Sequence, residues 1–571
     1  MVFSEVLVAV VVTLLAVGCS AHAPGQDGPA AVAPTGTDAA AFLRAYNEDF
    51  ARLERGTNES YWTAANSGKA EDFEVYAGSE VALRVLHSDP GRYRQIVAFL
   101  ANPDALAPGD LRALEVARLK FEGNQLPADL IKRMVDAAAG IEQTFNTFRP
   151  VLGGEKRSNN DLLEAIKVET DSAKRRDLWE GLKQVGGEVA GDLVALAKVR
   201  NQAAAVLGYA DFWDMMIRSQ DNDPGRLIAL FEELAEATDE PFRRMKEQMD
   251  RELAGRFGLA PEALMPWHYD NPFFQQAPPS ESVDLDRFYR QMVREDIVAL
   301  GARFFSDIGL PADDIVARSD YYEREGKDQH AFCISMDRSG DVRTLLNVKP
   351  TAEWMDTMLH ETGHAVYEKY IDGRLPYNLR EPAHIFTTEA VAMLFGALAK
   401  NPTWLVAYAG ADPQEVERQE AAILEQRRRE QLVFARWTLV MFHFERALYA
   451  DPEQDLDTVW YDLVERYQLL RRPPGRHVPD WAAKPHFTIA PVYYHNYLLG
   501  ELFAAQLRAT LARRIGHTGN PAAMDLRGHA EIGEFFRDEV FHPGSRLPWP
   551  EFVRECTGAP LGIEAYAAEV R

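Results

Sequence analysis

Apolar residues recur at three- and four-residue spacing along most of the chain, which is the period of helices that bury one face. The pattern runs through residues 39–220 and continues to residue 258, with Ala, Leu, Glu, Arg and Lys as the dominant residue types. Two examples are the predicted helices at residues 161–186 and 188–208, the second of which ends at Gly208. The pattern predicts an all-α, mainly helical fold.

One region departs from the helical pattern. Residues 331–336 and 342–348 are strand-like runs on either side of a turn that contains Gly340, and they predict one small β-hairpin. A helix resumes after Thr351, which is a candidate N-cap, and helical patterns dominate to the end of the chain. Residues 264–280 are rich in Pro, Asn, Phe and Trp and predict a loop or a short irregular helix.

The first residues predict an export signal. Residues 6–17 form an apolar run that is short for a bilayer span and suits the apolar part of a secretory signal. The run ends in Ala16-Val17-Gly18-Cys19, and small residues before a cysteine resemble a bacterial lipoprotein cleavage site with Cys19 as the lipidated residue. An ordinary signal peptide, cut near residues 21–23, is the alternative.

These features divide the chain into a signal peptide at residues 1–19, a flexible tether at residues 20–38 and one domain at residues 39–571. We therefore predict an exported lipoprotein at the periplasmic or outer surface of a bacterium. Its N-terminal lipid would be the only membrane contact. With ordinary signal cleavage it would instead be a secreted soluble protein.

The charge balance excludes one class of partner. The chain has 571 residues and a formal net charge of −25, whereas binding to nucleic acid needs clustered Lys and Arg. The sequence indicates no nucleic-acid partner and leaves the oligomeric state open. Cys333 and Cys556, which remain after Cys19, are too few for a disulfide framework, and we expect both to be buried as small apolar residues.

The motif His360-Glu361-Thr362-Gly363-His364 carries the strongest chemical signal. Histidines four residues apart lie on one face of a helix, where both imidazoles can bind the same metal ion. Glu361 follows the first histidine and can take a proton from a water molecule beside the metal. The motif predicts a site for one Zn²⁺ per chain.

A catalytic zinc site usually has three protein ligands, so a third is expected downstream. Glu389 is the only acid in the apolar helical segment at residues 386–395, where a carboxylate is costly unless it is paired or bound to metal. Glu381 is the competing choice, but it lies in a loop beside Arg380. Glu389 is the predicted third ligand.

Residues 484–497 are unusually dense in Tyr and His. Amide hydrolysis needs hydrogen-bond donors for the developing oxyanion and for the leaving amine, and His486 and a tyrosine hydroxyl can supply them. The alternative is a well-packed aromatic start of a helix.

The His-Glu-x-Gly-His motif, Glu389 and the segment at 486–497 together resemble the angiotensin-converting-enzyme family of peptidyl-dipeptidases and the related thimet-oligopeptidase family. The resemblance extends to residues 161–211, which contain Trp179-Glu180-Gly181. It implies a two-lobed helical body with a deep central cleft that admits short peptides. The hairpin would lie next to the zinc helix.

The resemblance also implies roles for individual residues. In the catalytic centre these are the zinc ligands His360, His364 and Glu389, the general base Glu361, and the transition-state donors His486 and Tyr497. On the substrate side they are His330 and Ala331 beside the scissile bond, and Lys484, Gln275 and Tyr494 around the C-terminal carboxylate of the peptide, with Tyr493 as the alternative to Tyr494.

These roles predict a zinc-dependent peptidyl-dipeptidase that acts on short peptides. An oligopeptidase of the thimet type, which cuts internally, is one alternative, and a non-catalytic lipoprotein that binds peptide or zinc is another. The chain departs from the converting-enzyme pattern at Asn496, which stands where that family often has an arginine that helps to hold chloride, so chloride dependence stays open. The cysteines that flank that family's hairpin are also absent.

Overall fold

The structure is a computed structural model that describes residues 36–279 and 283–571. The predicted signal peptide, with Cys19, and most of the predicted tether lie outside these residues, so cleavage, lipidation and export stay predictions. The first helix begins at Gly36 and includes the last three residues of the predicted tether. No helix in the described ranges is long and apolar enough to cross a membrane.

Helices build almost all of the described chain, which confirms the prediction of a mainly helical fold. In chain order they are α1 (Gly36–Ser67), α2 (Ala70–His87), α3 (Pro90–Leu100), α4 (Pro108–Glu122), α5 (Ala128–Thr147), α6 (Asn159–Val168), α7 (Ser172–Val206), α8 (Phe212–Ser219), α9 (Pro224–Ala237), α10 (Asp239–Phe257), α11 (Arg294–Asp307), α12 (Asp313–Arg318), α13 (Ala352–Tyr370), α14 (Ile385–Gly396), α15 (Pro402–Ala407), α16 (Pro413–Ala450), α17 (Leu456–Gln468), α18 (His486–Ile489), α19 (Tyr494–Arg514), α20 (Ala530–Phe535), α21 (Trp549–Thr557) and α22 (Glu564–Val570).

Short helical turns of other types connect these helices. A π-helix at Phe536–Phe541 continues α20. The 3₁₀ turns are Pro103–Ala105, Pro261–Ala263, Pro266–His268, Asp286–Phe288, Tyr377–Leu379, Ala397–Lys400, Asp480–Ala483 and Pro521–Ala523. Two of them lie in the aromatic region at 264–280 or at its edge, as predicted for a loop with irregular helix.

Two antiparallel hairpins complete the described elements. Strands β3 (Phe332–Ser335) and β4 (Val342–Leu345) form the predicted hairpin, with Phe332 opposite Leu345, and they pack against α13. The sequence analysis missed a second hairpin, β1 (Val151–Leu152) with β2 (Glu155–Lys156). Its strands have two residues each, too few to produce an alternating pattern.

The start of α13 agrees with the predicted cap. Thr351 is the N-cap, and its side chain accepts a hydrogen bond from the backbone N–H of Trp354 at 3.2 Å. The hydroxyl thereby satisfies one of the backbone donors that a helix start leaves open. The helix continues to Tyr370 and so contains the whole metal motif.

Helix α7 is longer than predicted. The two helices expected at 161–186 and 188–208 are wrong in their boundaries, because one continuous helix passes through Gly186 and Gly187. Gly186 is buried, and a Cβ there would collide with the carbonyl oxygen of Pro479 and lie 3.0 Å from the backbone nitrogen of Ala483. The glycine is therefore needed for close packing of the turn that precedes Lys484, and it does not end a helix.

The core places the metal motif at the centre of the molecule. One large cluster of buried apolar residues extends from α5 to α22 and includes the buried faces of α13, α14, α16 and α19. A smaller cluster joins α1 to α4 and contacts the rest through Tyr377 and Leu379. Helix α14 packs against both α13 and α19, so the predicted site residues of all three helices are brought together around α14.

We expect opposite effects on stability from alanine at the two adjacent glycines of α7. Gly186→Ala should lower the free energy of unfolding by about 1–3 kcal/mol, because its Cβ has no room against the backbone of the turn at 480–483. Gly187→Ala is the matched control. It faces open space and should raise stability by about 0.5–1 kcal/mol through helix propensity. Denaturant unfolding of both variants measures this, and equal shifts would contradict the packing role of Gly186.

Candidate metal centre

Helix α13 places the two histidines of the motif one turn apart on the same face. Their Nε2 atoms lie 3.2 Å apart, and their rings are nearly perpendicular. The Nδ1 atom of His364 lies 2.7 Å from the hydroxyl of Thr388. With the proton on Nδ1, the imidazole donates a hydrogen bond to this hydroxyl and its Nε2 lone pair can bind a metal. Such an outer partner fixes the orientation and tautomer of a metal-binding imidazole.

The third predicted ligand reaches this face because α13 and α14 cross at a glycine. A Cβ at Gly363 would lie 3.1 Å from the Cα of Ala392 and 3.2 Å from the ring of Phe395, so a larger residue would push the helices apart. With glycine there, Glu389 Oε2 lies 3.8 Å from His360 Nε2 and 4.0 Å from His364 Nε2.

These three side chains fit a zinc ion by their chemistry and spacing. Their ligand atoms all lie within 4.8 Å of one another, and two imidazoles with one carboxylate are a usual donor set for catalytic zinc. Glu389 is only 6% exposed in an apolar helix. Among the described residues, its ion-pair partners within 4.0 Å are the two histidines. A buried carboxylate in this setting is stabilised when a cation binds beside it.

Glu381, the competing ligand, is engaged elsewhere. Its Oε2 accepts hydrogen bonds from Lys120 and Arg338, each at 3.0 Å. Burial raises the pKa of Glu381, but the two cations outweigh burial and hold the pKa below its usual value. The side chain belongs to an ion-pair network that ties α1 and α4 to the β3–β4 turn.

Burial shifts the pKa values of the four titratable groups at the centre in the direction that favours their neutral forms. It raises the pKa of Glu361 to about 8, with the nearby Glu389 carboxylate adding to the effect, and it raises the pKa of Glu389 to about 7. It lowers the pKa of His360 to about 4, and burial together with His360 lowers the pKa of His364. Near neutral pH the centre therefore holds neutral imidazoles beside carboxyl groups that give up protons when a cation arrives.

The predicted substrate-side residues Lys484 and Gln275 are in direct contact. Lys484 is 4% exposed, and its ammonium donates a hydrogen bond to the side-chain oxygen of Gln275 at 2.9 Å. It also lies 5.6 Å from the ring centres of Trp437 and Tyr494 and 5.7 Å from that of Phe273. The result is a buried cation in a cluster of aromatic rings.

The aromatic segment links this cluster to the metal centre. The ring of Tyr494 lies 4.9 Å from that of His486 and 5.5 Å from that of Tyr497. The ring of Tyr493 lies 5.2 Å from that of Tyr497, and burial together with the Glu389 carboxylate raises the pKa of Tyr493. Tyr494 thus faces Lys484, whereas Tyr493 faces the metal side.

The remaining predicted residues lie at the hairpin. The imidazole of His330 is largely exposed, and its Nδ1 atom is 3.3 Å from Asp328 Oδ1. Ala331 is buried beneath the hairpin. Cys333 lies on β3 and Cys556 is buried in α21, and both are free thiols.

Sequence reasoning missed the polar residues that hold these groups in place. Thr388 is identifiable as the neighbour of a ligand, but nothing in its sequence position indicates which imidazole it contacts. Gln220 and Glu445 contact the backbone of Val492, more than 40 residues away in each case, so local patterns contain no signal for them.

Comparison with known proteins agrees with this centre. Residues 316–571 match the sequence model of peptidase family M3, whose members are zinc metallopeptidases. The matched segment contains the hairpin, the three candidate ligands, Glu361 and the segment at 484–497. No curated protein matches the chain. The match supports a zinc metallopeptidase and does not distinguish a peptidyl-dipeptidase from an oligopeptidase.

Zinc affinity should rise with pH between about pH 6 and pH 8. In Glu361→Gln protein, Glu389 is the main group that must lose a proton, so affinity should rise roughly tenfold per pH unit below pH 7 and then level off. The histidines contribute little in this range because their pKa values are already low. Competition with a chelating dye measures the affinity.

In the control, Glu389→Gln, both the affinity and its pH dependence should fall. A flat profile with Glu389 intact would contradict its assignment as a ligand.

Proposed function

We propose that this protein is a zinc peptidyl-dipeptidase that removes dipeptides from the C-termini of short peptides. A zinc-type donor set in a segment that matches peptidase family M3 supports the metallopeptidase part of this assignment. The observation that carries the finer assignment is the buried ammonium of Lys484. It lies against Gln275 and Tyr494 in a cluster of aromatic rings that continues to His486 and, through Tyr494, to Tyr497.

Glu361 is the general base in this proposal. When bound, zinc polarises the scissile carbonyl and acidifies a water molecule. Glu361 lies between the two histidines on α13 and is 2% exposed, and its buried surroundings raise its affinity for a proton. It therefore suits a group that accepts a proton from the attacking water and passes it to the leaving nitrogen.

His486 and Tyr497 are the donors to the tetrahedral intermediate. Burial, with a smaller effect of Lys484, lowers the pKa of His486 to about 2, so the imidazole is neutral and can donate one N–H. Tyr497 is 8% exposed, and a tyrosine hydroxyl can donate a hydrogen bond. Each donor is expected to contribute about a few kcal/mol to stabilisation of the transition state.

Lys484 is the anchor for the C-terminal carboxylate of the peptide. An ammonium and an amide that are shielded from solvent bind a carboxylate more strongly than they would in water. An anchor at a fixed distance from the metal selects the bond two residues from the free C-terminus. This selection would make dipeptides the product.

Two blocked peptides that differ only at the C-terminus test the proposal. The free acid should be cleaved to release a dipeptide, the amide should be a poor substrate, and a chelator should abolish turnover. Lys484→Met should raise KM for the free acid about 10- to 100-fold, the equivalent of about 1.5–3 kcal/mol, because a charged hydrogen bond is lost. Its effect on the amide should be small.

Lys132→Met is the control for this experiment. Lys132 is exposed on α5 and pairs only with Asp136 in the described structure, so the substitution should leave both peptides unaffected. Equal cleavage of acid and amide by the parent protein would overturn the dipeptidase assignment. It would favour the second candidate, an internally cutting oligopeptidase of the thimet type, which the match to family M3 supports equally.

A further inference from the structure

The loop between α8 and α9 contacts the starts of two helices of the metal centre. Gln220 lies in this loop, and its side-chain oxygen accepts a hydrogen bond from Asn496 Nδ2 at 2.7 Å. Its side-chain nitrogen donates to the carbonyl of Val492 at 3.2 Å, and its backbone carbonyl lies 2.6 Å from His384 Nε2. One glutamine therefore touches α19, the turn before it and the cap of α14.

The turn before α19 has a strained backbone that these contacts hold. Val492 has φ of +53°, a conformation that is rare for a β-branched residue. Its N–H donates to Glu445 Oε1 at 2.7 Å, and its carbonyl accepts from Gln220. Strain of this kind persists only where surrounding groups enforce it, and here it sets the direction in which Tyr493 and α19 begin.

The contact with His384 extends the link to the third zinc ligand. His384 is the N-cap of α14, and its Nδ1 accepts a hydrogen bond from the backbone N–H of Phe386. Its Nε2 must then carry the proton and donate it to the carbonyl of Gln220. Glu389 follows one turn into the same helix, so the contact relates the ligand to the turn at Val492.

The loop itself is firmly anchored. Asp221 has φ of +60°, its carboxylate accepts from Arg112 at 2.8 Å, and its carbonyl accepts from the indole N–H of Trp549 at 3.0 Å. These partners come from α4 and α21, at opposite ends of the chain. Gln220 is thus presented from a rigid support, as a positioning group requires.

We propose that Gln220 is a positioning residue that fixes the hydroxyl of Tyr497 relative to the metal centre, through Asn496 and Val492. The inference rests on the proposed function and on Tyr497 as a transition-state donor. Gln220 itself lies outside the segment that matches family M3. Gln220 acts through hydrogen bonds between neutral amides. Its partner Asn496 is fully buried, is uncharged and directly precedes Tyr497.

The test combines Gln220→Met with Tyr497→Phe in full-length, zinc-loaded protein. Methionine keeps the length of the side chain and removes its three hydrogen bonds, which join it to Asn496, Val492 and Met216. The single variant should lower kcat roughly 10- to 100-fold with KM within about twofold, as expected for a misplaced catalytic group. With Tyr497→Phe already in place, Gln220→Met should change kcat by less than about twofold, because there is no hydroxyl left to position.

Gln506→Met is the matched control. Gln506 lies on α19, as Tyr497 does, but more than two turns further along, and its side chain donates hydrogen bonds to Thr557, Ala559 and Pro560. It should leave kcat unchanged. Equal losses from Gln220→Met in both backgrounds would overturn the inference, as would a Tyr497→Phe variant with full activity. Failure of the proposed function is recognised separately, because the parent protein itself would then release no peptide product.

Discussion

The rest of the centre depends on the close crossing of α13 and α14 at Gly363. Without a side chain at this point, the backbone of α14 approaches the helix that carries the motif, and Glu389 comes within 4.0 Å of both imidazoles. Helix α19 packs on the other side of α14, so the tyrosine segment is placed relative to the same contact. A dense core transmits any displacement at this crossing to all three helices.

Burial is the second constraint, and it acts differently on the two sides of the site. On the metal side it leaves carboxyl groups and imidazoles without compensating Lys or Arg contacts, a state that a divalent cation relieves. On the substrate side it leaves the Lys484 ammonium among aromatic rings with an amide partner. In the proposed function these two sides bind opposite charges, a metal cation and a peptide carboxylate.

Polar contacts between distant parts of the chain convert this arrangement into a defined geometry. Thr388 orients one imidazole, whereas Glu445 and Gln220 hold the strained turn at Val492 from opposite sides. The N-terminal helices therefore do more than enclose the segment that matches family M3. This part of the chain supplies Gln220, which contacts the turn before Tyr493, and Gly186, which packs against the turn before Lys484.

The sequence by itself determined the mainly helical fold, the hairpin beside α13 and the candidate metal cluster of His360, His364 and Glu389, because periodicity, the two-histidine motif and one acid in an apolar helix are local signals. Only the tertiary structure decided that Glu381 is neutralised by Lys120 and Arg338, that Tyr494 and not Tyr493 faces Lys484, and that Gly186 lies inside a helix. Each of these outcomes depends on groups that are far away along the chain and adjacent only after folding. A local pattern contains no information about which of those groups will meet.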